Sequence, residues 1–110
     1  MKYLRIKKNA DFQKLFRQGK KVFSPDITLL YFPSNAARMG VAVSKKHGKA
    51  VKRNRIKRLL RAVYSDNLPS LNGNYSVILI PKVNEEYSYK SFEKSIKLCF
   101  KKINAGKQAQ

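Results

Sequence analysis

Apolar residues recur along this chain with two different periods. Between residues 50 and 65 they fall at Ile56, Leu59, Leu60, Val63 and Tyr64, the i, i+3, i+4, i+7, i+8 series of one helix face. The spacing predicts a helix from about Ala50 that frays near Asp66 and Asn67. A second stripe, Phe92, Ile96, Cys99, Phe100 and Ile103, predicts a last helix, with Ser88 placed to cap it. A short helix is expected behind Asn9. There Phe12, Leu15 and Phe16 share a face, Asn9 reads as the N-cap, Asp11 suits the positive dipole end, and Gly19 ends the element.

Elsewhere the apolar residues run together, as strands do. Residues 27–32 and 39–44 read as two strands joined through a turn at 33–37, which predicts a hairpin. Residues 75–80 read as a buried strand closed by Pro81, after a loop carrying Pro69 and Gly73. A further short strand is expected near residues 22–24. The order α-β-β(-β)-α-β-α predicts an α+β fold, an α/β sandwich: a single sheet of about four strands packed with three helices. One domain is expected over residues 1–110, with a disordered end from about Ala105.

Composition leaves this picture intact; charge changes it. The 110 residues are 43% hydrophobic, enough for a real core. The net charge is +19, from 25 Lys and Arg against 6 acids. Self-repulsion of that size is most readily tolerated when a polyanion neutralises it. The excess is localised. Residues 1–61 hold 18 of the cations and only Asp11 and Asp26 as acids. Residues 45–61 hold nine cations and no acid. Wound as a helix, residues 50–65 put Asn54, Arg58, Arg61 and Ser65 opposite the apolar stripe, flanked by Arg55 and Lys57. Arg matches phosphate oxygens in bidentate geometry, and Lys45 and Lys46 lead into the same neighbourhood. Solvated helix faces usually mix signs. A run without acids points instead to nucleic acid or another polyanion; a membrane surface is the weaker reading, because the apolar side of the helix is needed for the core.

Other classes find little support. No apolar stretch is long enough to span a bilayer, and residues 1–8 have no apolar core of a secretion signal. With one cysteine, no internal disulfide is expected, and a cytoplasmic setting is the default. No metal site or catalytic constellation is expected: Asp11 and Asp26 stand alone, and Glu85 and Glu86 sit at a helix approach. His47, the only histidine, reads as a surface or phosphate-contacting residue, and Cys99 as a core thiol.

The residues also match something specific. Residues 50–61, Ala-Val-Lys-Arg-Asn-Arg-Ile-Lys-Arg-Leu-Leu-Arg, resemble the Arg-Asn-Arg segment of the bacterial ribonuclease P protein family. Residues 41–46, Val-Ala-Val-Ser-Lys-Lys, followed by Gly48, resemble the strand before it. Residues 9–16, Asn-Ala-Asp-Phe-Gln-Lys-Leu-Phe, with Gly19, resemble the family's first helix. The resemblance implies an α/β sandwich with a left-handed βαβ crossover, against the usual hand. It implies an RNA-binding subunit that joins a catalytic RNA to remove the 5′ leader from precursor tRNA. Magnesium ions would be held largely by the RNA, with no obligate protein partner.

Two surfaces carry over. The catalytic-RNA surface is Lys45, Lys46, Arg53, Asn54, Arg55, Lys57, Arg58 and Arg61. The leader surface has Phe12 and Phe16 on the first helix. The family's strand aromatic falls here at Leu30 or Tyr31, neighbours that point to opposite faces; Tyr31 is taken as the candidate. Two other classes remain beside this one: a structural ribosomal protein and a DNA-binding architectural protein. The second lacks a helix-turn-helix pair or basic-zipper heptads.

Overall fold

The computed structural model describes residues 2–108. The chain forms β1 (Leu4–Arg5), α1 (Asn9–Gln18), β2 (Lys20–Phe23), β3 (Ile27–Pro33), β4 (Arg38–Val41), α2 (Ala50–Asn67), β5 (Tyr75–Pro81) and α3 (Tyr89–Gln108). The strands make one sheet in the order β1-β4-β5-β3-β2. β5 runs parallel to β4 and antiparallel to β3. The connection β4–α2–β5 is therefore a crossover, as a parallel pair requires.

The expected hairpin between residues 27–32 and 39–44 does not form. β5 lies between them, and β3 pairs instead with β2, Leu29 opposite Val22. The reason is burial on both faces. Val77, Ile78 and Leu79 are all fully buried, so β5 needs a strand on each side and a layer on each face. The second of those strands is also shorter than expected, ending at Val41. β1, too short to be expected from the sequence, adds a fifth strand beside β4, with Leu4 opposite Arg38.

α2 and α3 cover one face of the sheet. Ile56, Leu60, Val63, Phe92, Ile96 and Phe100 meet Ile27, Leu29, Val77 and Leu79 there. Each fully buried side chain of this size contributes about 1.5–3 kcal/mol. Tyr64 bridges the layer, edge-on to Tyr3 at 5.3 Å and to Phe100 at 5.6 Å. Cys99 is buried in the same core, where burial pushes its thiol pKa up.

Helix ends follow the sequence in part. The Ser91 N–H donates to Ser88 Oγ at 3.2 Å, the expected cap of α3. Asn9 is not the N-cap of α1. Lys8 holds that place with extended backbone, and its carbonyl already accepts from Asp11 N–H. α3 continues to Gln108, where a disordered end is expected from Ala105. Just before that segment, Asn104 Nδ2 donates to Ser70 O at 2.9 Å, and Asn104 Oδ1 accepts from Asn72 N–H at 2.8 Å. Residues 109 and 110 lie outside the described residues.

Candidate nucleic-acid interface

The segment between β4 and α2 passes the end of β5 and is held there by one side chain. His47 is buried, 6% exposed. The Ser44 N–H donates to Nδ1 at 3.0 Å, and Nε2 lies 2.7 Å from Pro81 O. One tautomer satisfies both: Nδ1 accepts and Nε2–H donates. The expectation of a surface or phosphate-contacting histidine is therefore corrected. Both ring nitrogens are occupied by backbone, so the ring anchors the segment to the end of β5. Gly48 follows with φ +120°, a conformation that favours glycine, and turns the chain into α2.

This anchor fixes the basic surface. Lys45 and Lys46 are exposed on the pinned turn, and Asn54, Arg55 and Arg58 are exposed on α2. Arg53, Lys57 and Arg61 are half-buried. Arg53 Nε is buried without a hydrogen-bond partner, and Arg61 lies near Tyr3, whose phenol burial pushes up against the pull of Arg5 and Arg61. Lys52 is committed elsewhere: its Nζ donates to Glu85 O at 2.9 Å and sits over the Tyr87 ring. Among the described residues the one ion pair is Lys97–Glu93, so none of the predicted basic-surface residues is neutralised by a carboxylate. Among the described residues no three His, Cys, Asp or Glu side chains gather into a metal-ligating group.

α1 lies across the other face of the sheet and divides it. Beneath the helix, Gly40, Ile78 and Leu30 form one rung of the sheet, with Ile6 and Leu15 packed against it. Phe12 rests on this rung: a Cβ at Gly40 would sit 2.7 Å from its Cζ. On one side of α1 the next rung holds Ile80, Thr28 and Phe23, with Ala42 continuing it. Phe16, one turn on from Phe12, is 44% exposed, and Phe23 is 60% exposed. On the other side of α1 lies a rung of Leu4, Arg38, Ser76 and Phe32.

Phe12 and Phe16 are thus brought together on one helix edge. Tyr31 is not with them. It points to the α3 side of the sheet, edge-on to Tyr75 at 5.5 Å, and Leu30 takes the α1 side. Strand alternation decides this, since each residue of β3 faces opposite its neighbour. Phe23 and Phe32 are exposed rings on the α1 side that the sequence pattern did not single out. Phe32 shares parity with Leu30 along β3, and Phe23 joins the same face opposite Thr28.

The geometry is a pinned basic ridge beside an aromatic-bearing sheet face. The ribonuclease P family model matches residues 1–104. The chain belongs to this family. The ribonuclease P protein component of Fusobacterium nucleatum is 38% identical over 104 residues, covering 87% of this chain and 93% of that protein. That of Clostridium kluyveri is 41% identical over 108 residues, covering 93% and 96%. The ribonuclease P protein of Staphylococcus aureus superposes with TM-score 0.79 at 30% identity, covering 91% of this chain and 94% of that one. The Thermotoga maritima ribonuclease P protein, at TM-score 0.81 and 24% identity over 90% and 96% of the two chains, shares the fold. Membership decides against the ribosomal and DNA-architectural alternatives. It makes this chain a ribonuclease P protein component and implies a role in tRNA 5′ processing.

Proposed function

We propose that this ribonuclease P protein binds a catalytic RNA through its basic ridge and a single-stranded tRNA leader beside α1. The continuity of the two surfaces carries the reading. The pinned turn with Lys45 and Lys46 leaves β4 just beyond Ala42, on the rung flanking Phe12 and Phe16, and leads directly into the Arg face of α2. Phosphates of the RNA partner meet Asn54, Arg55 and Arg58, with Arg53, Lys57 and Arg61 at their base. A base stacked on an exposed ring contributes about 1–3 kcal/mol whatever its identity, which suits leaders of varied sequence. In this reading the RNA performs the cleavage and holds the magnesium ions. The protein supplies counter-charge and holds the leader, in the cytoplasm and without an obligate protein partner.

Reconstitution tests this. Added to a catalytic ribonuclease P RNA at low magnesium, the folded protein is expected to stimulate release of a tRNA 5′ leader. No stimulation across a magnesium titration would overturn the proposal. The ridge has its own test. Replacing Arg58 and Arg61 together by Ala is expected to weaken catalytic-RNA binding about tenfold. The salt dependence should become shallower by about one unit for each phosphate that is no longer neutralised. An unchanged slope would place the RNA-binding surface elsewhere.

A further inference from the structure

The rung on the far side of α1 carries a surface of its own. Leu4, Arg38, Ser76 and Phe32 stand side by side across β1, β4, β5 and β3, all facing the α1 side. At about 4.8 Å between strands the row is about 14 Å wide. Together with Lys7, Lys8 and Lys14 it lines a groove of about 690 Å³. That volume falls within the range of about 300–1,000 Å³ that holds small organic ligands, so a nucleotide base and sugar fit.

The chemistry of this groove is specific in kind. Leu4 is 57% exposed and Phe32 36% exposed, at opposite ends of the rung. Between them are a guanidinium and a hydroxyl. Lys14 Nζ sits 5.5 Å from the centre of the Phe32 ring, so the ring already meets a cation. α1 starts at the rim, after Lys7 and Lys8, without a side-chain cap, and adds the positive end of its dipole. Asp11 is the only carboxylate in the lining. Cations spaced around an accessible ring are what single-stranded nucleic acid requires: phosphates on the cations, a base on the ring. An acidic peptide would satisfy the charge and leave the ring without a partner.

We propose that this groove binds a second single-stranded RNA segment, separate from the leader surface on the opposite edge of α1. Arg38 and the lysines take phosphates, Phe32 takes a base, and Ser76 with Asn35 offers hydrogen bonds to base or ribose. Lys14 leaves the ring for a phosphate when the base arrives.

The test is a titration of the full chain with a labelled oligouridylate of about six nucleotides, followed by fluorescence anisotropy and mass spectrometry. Wild type is expected to take up two strands per chain. Replacing Phe32 and Arg38 by Ala should remove one of them, and should weaken that site about tenfold or more. Replacing Phe12 and Phe16 by Ala should leave the groove occupied. The exposed pair Lys7→Glu with Lys8→Glu should reproduce the loss, guarding against a folding defect in the first variant. An abasic strand of equal length and charge should not fill the groove. A single strand per chain, abolished only by the Phe12 and Phe16 replacements, would overturn the proposal. So would equal binding of the abasic strand, which would show charge attraction alone. A single strand abolished only by the Phe32 and Arg38 replacements would support the groove while sinking the leader reading.

Discussion

Replacing His47 by Leu is expected to destabilise the protein by about 1–3 kcal/mol, although the side chains are of similar size. The substitution leaves two backbone groups behind. Ser44 N–H, which is part-buried, loses the Nδ1 acceptor, and Pro81 O, in a buried bond, loses the Nε2 donor. An unsatisfied buried group costs about 1–3 kcal/mol, and Leu offers neither a donor nor an acceptor. The melting temperature should fall on the order of 10 °C. Catalytic-RNA affinity, measured well below that temperature, should fall as well, because Lys45 and Lys46 ride on the freed turn. A variant with wild-type melting would show that the ring is not the anchor. A destabilised variant with full affinity would show that the ridge needs no anchor.

The second large effect lies under α1. Gly40→Ala places a methyl 2.7 Å from Phe12 Cζ, 3.0 Å from its Cε1 and 3.2 Å from Ile6 Cβ. Overpacking of this kind costs about 1–3 kcal/mol. The ring is the softer neighbour and moves, so leader affinity should fall with stability. Phe12→Ala removes the obstacle. In that background the two tightest contacts are gone and Ile6 Cβ at 3.2 Å remains, so the cost of Gly40→Ala should shrink to below about 1 kcal/mol. A double-mutant cycle by chemical denaturation measures this directly. Additive costs would mean that Phe12 does not rest on Gly40.

The helices were legible because their apolar faces repeat every 3.6 residues for many turns, and because Arg58 and Arg61 of α2 fall opposite that face. Strand partners were not. Apolar residues on both faces of β3 and β5 announce burial without saying what lies on either side, so the β3–β4 hairpin was a reasonable and incorrect pairing. The same ambiguity misplaced Tyr31. Alternation separates it from Leu30, but only the position of α1 says which face is which. Phe32 escaped notice for that reason. β1 is two residues long and sits in a basic run, too short for any period to register. His47 was surrounded in sequence by Lys45, Lys46 and Lys49, and its true partner, Pro81, is 34 residues away.

The place of β5 in the sheet has a consequence for how the chain is made. The strand that sits between β3 and β4 is the last of the five to be synthesised. Before it emerges, only the β2–β3 pair has a local partner, and the rungs on which α1 lies do not exist. Yet 18 of the 25 cations precede residue 62. A nascent chain therefore reaches its highest charge density while the framework that orders those cations is missing, close to the RNA of the ribosome. Pairing at such sequence separation is slow. Folding of this protein is in this sense a late and concerted event, completed only when residues 75–81 and the helix behind them are free of the exit tunnel.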